Sequence, residues 1–231
     1  MKSQIITTGI MLARTDFQEA DRIITVLTSD HGKIRAIAKG VRRPKSRLAG
    51  GIELFSVSNL TFLPGRGEMQ TLISSRLGIH YGNIVNDINK TMLGYELLKI
   101  MNRLTEDAAG GEYFYLLQTA LDGLNNQELL AGTLELWFDM HLLKITGHAP
   151  NLQTDKEGNK LKDNQRYVFS FDDMLFVPIQ NGLHDTSVIK LLRLAYAAKE
   201  PSLLARVNGV EALLPKCQQL TKTMLNRFVR I

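Results

Sequence analysis

The hydrophobic period of this chain changes once, and that change bounds what the chain can fold into. Up to Leu77, apolar residues come in short runs with a period of two, broken by turn residues. After Gly82 they recur three or four positions apart. A period of two builds strands, and a period near 3.6 builds helices. The chain is therefore α+β, with strands first and helices after, rather than an alternating α/β fold.

The first region reads as five strands. Residues 4–14 are β-branched and apolar, followed by a polar connection over 15–21 that contains Phe17. Arg22–Thr28 is the second strand, and Ser29-Asp30-His31-Gly32 is a turn of hairpin length. Lys33–Lys39 is the third strand, with Lys33, Arg35, Ile37 and Lys39 on one face and Ile34, Ala36 and Ala38 on the other. Residues 40–51 are rich in Gly, Pro, Ser and cations, as a loop is. Leu54–Leu63 and Met69–Leu77 complete the set, joined by a turn at Pro64-Gly65-Arg66-Gly67. Five short strands in about 75 residues point to a small closed barrel, of the OB type or the SH3-like type.

The second region reads as helices over Ile84–Leu104, Tyr113–Leu124, Leu129–Ile145, Ser187–Ala198 and about Val210–Arg230. A polar loop and a small hairpin, Tyr167–Phe169 with Leu175–Val177, interrupt them at about 151–178. The expected domains are a barrel over 1–80 and a helical domain over 81–231.

Charge is concentrated in one segment. His31–Gly50 holds seven cations, Lys33, Arg35, Lys39, Arg42, Arg43, Lys45 and Arg47, and no acid. The whole chain carries 28 Lys+Arg against 23 Asp+Glu, so without these seven the balance becomes 21 against 23. A local excess of this kind favours a polyanionic partner, with nucleic acid first and an acidic membrane surface second. Arg66 at the next turn adds another cation. Aromatic residues that could stack on bases are few here: Phe17, Phe55 and Phe62, the last two expected in the core.

Catalytic signatures are missing. None of the five histidines (31, 80, 141, 148, 184) stands in a metal-ligand spacing, and no phosphate-binding glycine loop or nucleophile elbow occurs. A lone Cys217 can form neither an internal disulfide nor a cysteine zinc cluster, and it suits a reducing compartment. No run is long and apolar enough for a signal peptide core or a membrane span. The expectation is a non-enzymatic binding protein without cofactor or metal.

Asp21–Leu60 resembles the bacterial recombinational repair family RecO in Asp21-Arg22, Thr28, His31-Gly32-Lys33, Ala38-Lys39-Gly40 and the run Arg42–Arg47. Leu143–Pro150 is similar to that family's helix end before its central insert. The resemblance implies an OB-fold followed by a helical domain. It implies binding to single- and double-stranded DNA, strand annealing, and help in loading the recombinase RecA together with RecR. The strands so loaded are coated by single-strand binding protein, whose C-terminal tail is the implied contact. It places the protein in the cytoplasm with the nucleoid. It carries the DNA-contacting role onto Arg22, Lys33, Arg35, Lys39, Arg42, Arg43, Lys45 and Arg47. Many members of that family hold zinc with four cysteines in the insert, whereas residues 151–177 here contain none. The insert is then expected to be held by Tyr167, Val168, Phe169, Phe171, Leu175 and Phe176. The competing reading is an RNA-binding OB module with no recombination role.

Overall fold

A computed structural model describes residues 4–65, 69–105 and 110–230. Its first strand, β1 (Ile5–Phe17), runs three residues further than the sequence suggests, through Thr15, Asp16 and Phe17. These residues stay extended because β2 (Asp21–Thr28) pairs with them to the last rung, Phe17 opposite Asp21. β3 (Lys33–Ala38) follows a tight turn in which Thr28 donates from both its amide and its hydroxyl to the Gly32 carbonyl. Gly32 takes a φ of 63° there, a left-handed conformation that a side chain would disfavour.

β4 (Ser56–Leu63) and β5 (Gln70–His80) close the sheet into a barrel in the order β1-β2-β3-β5-β4, with β1 and β4 pairing antiparallel from Ile5 opposite Phe62 to Ile10 opposite Val57. The seam is parallel, Ala36 against Gln70 and Ile37 against Thr71. This is an OB-type barrel, not an open sheet. Met11, Ile24, Val26, Ile34, Ala36, Leu60, Phe62 and Leu72 fill it. Gly9 has no side chain because a Cβ there would stand 2.4 Å from Val26 Cγ1 and 3.0 Å from Leu60 Cδ1.

The helices are α1 (Ile88–Leu104), α2 (Gly111–Asn125), α3 (Ala131–Ile145), α4 (Thr186–Ala197) and α5 (Val210–Met224), the last continued by a π turn over Leu225–Val229. Asp87 caps α1, accepting from the amides of Asn89 and Lys90, and Asp185 caps α4, accepting from those of Ser187 and Val188. Leu93, Leu97, Leu98 and Met101 form the buried face of α1. Ile88 and Met92, which the periodicity assigns to that same stripe, instead lie exposed on another face with Tyr95.

By packing, the chain forms two compact units, Met1–Gln127 and Glu128–Ile231. The expected division at 80/81 follows the change from strand to helix, but α1 and α2 pack on the barrel and belong to its unit. In the second unit α3 is buried around most of its circumference. Trp137 Nε1 donates to the Ala198 carbonyl at 2.9 Å, and the Thr221 hydroxyl donates to the Asp139 carboxylate at 2.7 Å. The insert carries the hairpin β6 (Tyr167–Ser170) and β7 (Leu175–Pro178).

Candidate nucleic-acid interface

Strand alternation places the cations of the barrel on two different surfaces. Ile24, Ala36 and Ala38 point into the core, so Ile23, Thr25, Arg35 and Ile37 point outward from β2 and β3. Arg35 is exposed, opposite Thr25. Lys33 shares this parity but is not a free cation: its ammonium donates to the Asn102 carbonyl at the end of α1, at 2.7 Å. Arg22 has the opposite parity and lies in one row with Asp16 and Ala38 at the rim of the barrel. Its guanidinium holds Asp16 at 2.7 Å, and Arg42 reaches the same carboxylate at 3.5 Å. The Arg22 hydrogen bond, with the charges of Arg42 and Arg14, draws the Asp16 carboxyl below its ordinary pKa.

β3 ends at Ala38, so Lys39 belongs to the following connection rather than to the strand face. That connection is not a loose arm. Gly40 N donates to Asp21 Oδ1 at 2.7 Å, and Arg42 N donates to the Ala20 carbonyl at 2.9 Å, which ties it to the β1–β2 turn. Val41 and Ile52 are buried in the barrel core, and Leu48, Ala49 and Leu54 pack against it. The Ser75 hydroxyl donates to the Leu48 carbonyl at 2.8 Å, and Gly51 lies so close that a Cβ would stand 2.6 Å from Ser75. The segment plugs one end of the barrel with its apolar residues and leaves Lys39, Arg42, Arg43, Lys45 and Arg47 outside, exposed. Among the described residues, Arg35, Lys39, Arg43, Lys45 and Arg47 have no carboxylate partner. Arg66 lies outside the described residues.

Two residues beyond the expected set bear on this end. Arg14 projects beside the rim and pairs with Glu53 at 2.6 Å, so it neutralises an acid rather than adding to the free charge. Phe17 is an exposed part of β1 and not of a connection. Arg14 could not be recognised from local charge, because Glu53 is distant along the chain.

The insert does not suit zinc. Where cysteine pairs would be required, the Asp155 carboxylate accepts the amides of Glu157 at 3.0 Å and Asn159 at 2.9 Å, completing a turn within itself. Phe169 stands 5.0 Å from both Phe171 and Phe176, edge to face, and Tyr167 packs on Phe176 at 6.3 Å. The Tyr167 hydroxyl donates to the Lys162 carbonyl and accepts from the Lys162 amide, tying the preceding loop to the hairpin. Val168 points outward and contributes little to this cluster. Among the described residues, no group of three or more His, Cys, Asp or Glu could hold a metal. Cys217 is buried, and burial pushes its thiol up to about 12, far from a reactive thiolate.

Residues 1–77, which span the barrel nearly to the end of β5, match the family model "Recombination protein O N terminal". The barrel is similar to the N-terminal domain of RecO proteins. The likeness to RecO proteins extends beyond it. A DNA repair protein RecO of Moorella thermoacetica is 33% identical over 146 residues, 63% of this chain and 54% of that protein. One of Acetivibrio thermocellus is 31% identical over 71% of this chain and 65% of that protein. One of Trichodesmium erythraeum is 28% identical over 97% of this chain and 81% of that protein, helices included. The matched part covers about half to two thirds of the first RecO relatives' own length.

Proposed function

We propose that this chain acts in DNA repair as a recombination mediator. It binds single- and double-stranded DNA, anneals complementary strands, and assists recombinase loading onto strands coated by single-strand binding protein, in partnership with RecR. It works in the cytoplasm, at the nucleoid, and not by catalytic turnover. One observation carries the reading: an ordered barrel end, in a domain of RecO type, presents Lys39, Arg43, Lys45 and Arg47 with no carboxylate partner among the described residues. The chemistry suits annealing. Two strands repel each other through their phosphates, and a dense cationic surface lowers that barrier without reading bases. Because the cations sit on a plugged loop, little ordering entropy opposes strand binding. Arg22 and Arg42 share Asp16 and act mainly by shaping the rim.

The test reverses the unpaired charges. Lys39→Glu with Arg43→Glu and Lys45→Glu should abolish DNA binding at moderate salt while the far-UV circular dichroism stays native, since all three side chains are exposed. For the wild type, the four unpaired cations predict a slope of log affinity against log salt of roughly −2.8 on single strands and −3.6 on duplex. Unchanged affinity in the triple variant would reject this surface as the DNA site. An RNA module would bind RNA in preference and would fail to anneal DNA strands.

A further inference from the structure

The basic rim also holds an exposed aromatic residue without a ring partner among the described residues. Phe17 is the last residue of β1 and 39% exposed. Its pairing opposite Asp21 gives it the outward parity of Thr15, Ile23, Thr25, Arg35 and Ile37. Among the described residues it stacks on no other ring and lies under no cation, in contrast to Phe55, which is buried and packs on Tyr95 at 5.0 Å. Its neighbours in the chain are fixed. Gln18 turns sharply at a φ of 53°, and Ala20 and Asp21 are each hydrogen-bonded to the Gly40–Arg42 backbone. The ring therefore stands on a rigid hairpin tip docked against the cationic loop. On the outer face the ring stands opposite Asp21, whose carboxylate is engaged by the Gly40 amide, and beyond them Thr15 pairs with Ile23, and Ile23 with Ile37, before Arg35 is reached.

An isolated exposed Phe is ordinary, and by itself carries no meaning. Here it stands beside the cationic loop, next to the apolar pair Ile23 and Ile37, on a hairpin tip hydrogen-bonded to that loop. Every base has a π face, so such a ring takes an unpaired base of any identity, whereas a duplex keeps its bases stacked on each other. We infer that Phe17 is a base-stacking platform that makes this site discriminate single-stranded nucleic acid from duplex. Lys39, Arg43 and Lys45 bind backbone of either kind, and Phe17 adds affinity only where a base is free. This rests on the nucleic-acid reading of the basic rim given above.

The experiment measures fluorescence anisotropy of labelled oligothymidylate and of a duplex of equal length, with wild type, Phe17→Ala, Phe17→Leu and Phe17→Trp. Phe17→Ala and Phe17→Leu should each lose roughly 5- to 50-fold in single-strand affinity with duplex affinity unchanged. Phe17→Trp should retain single-strand affinity, and its added indole emission should be quenched as oligothymidylate is titrated in. Phe17→Leu keeps the apolar area and removes the π face, so it separates stacking from simple burial. Equal single-strand affinity in wild type and Phe17→Ala, equal losses on both substrates, or an unquenched indole overturns the inference while leaving the basic site standing. A wild type that binds neither substrate overturns both.

Discussion

Asp16 is the residue that limits the charge of the rim. It is the shared acceptor of Arg22 and Arg42, and its pKa lies below the ordinary carboxylate value because Arg22 hydrogen-bonds it. A carboxyl whose folded pKa is depressed stabilises the fold fully above the unfolded value, about 3.9, and that contribution fades as pH falls through the folded value. Asp16→Asn removes this dependence and releases two guanidinium groups. The expected outcome is a DNA affinity raised by a few-fold at neutral pH. Alongside it, the melting temperature should depend less steeply on pH below about 4 than in wild type. Anisotropy titration and thermal melts across pH check both; an affinity that falls would mean Asp16 positions the arginines for binding rather than restraining them. Local charge counting found the cations but not this restraint. Along the chain His31–Gly50 holds no acid, whereas in space Asp16, on β1, stands against its Arg42.

At the scale of elements, the basic connection between β3 and β4 is a barrel plug that carries the proposed binding surface. Its composition of Gly, Pro, Ser and cations reads as a loop, because the apolar residues scattered among them show no period. Val41 and Ile52 are nonetheless buried in the core. Ile52→Ala should cost about 2–5 kcal/mol in urea unfolding, as a large-to-small change in a packed core does. It should also weaken DNA binding, since the cations lose their support. Exposed Arg47→Ala should leave stability within about 0.5 kcal/mol.

The strands were legible from alternation, but their ends were not. β1 gains Thr15, Asp16 and Phe17 only because β2 supplies hydrogen-bond partners, and β3 loses Lys39 because Gly40 turns the chain at a φ of 62°. In the insert, Tyr167, Phe169, Phe171 and Phe176 pack edge to face in one aromatic cluster. Excess chelator should leave the melting temperature unchanged and elemental analysis should find no stoichiometric zinc. Phe176→Ala should destabilise the second unit by about 3–5 kcal/mol. A chelator-induced drop in melting temperature would contradict the aromatic account.

Across the whole molecule, the cations are concentrated in one segment, His31–Gly50, rather than spread over a unit. The first unit carries the basic rim on a RecO-type barrel, and no helix among the described residues is long and apolar enough to cross a membrane. The order of strands then helices was legible because the hydrophobic period changes once. The division of the units at 127/128 was not, because packing of α1 and α2 on the barrel leaves no mark in periodicity. Nor could the sequence show that Lys33 is spent on the α1 carbonyl end, a contact between residues far apart in the chain. The most direct measurement is annealing of complementary DNA strands precoated with single-strand binding protein. Wild type should accelerate it at low salt and lose that effect as salt rises, while the Lys39, Arg43 and Lys45 charge-reversal variant should match the protein-free rate. Acceleration by that variant equal to wild type, or none by the wild type itself, would contradict the account.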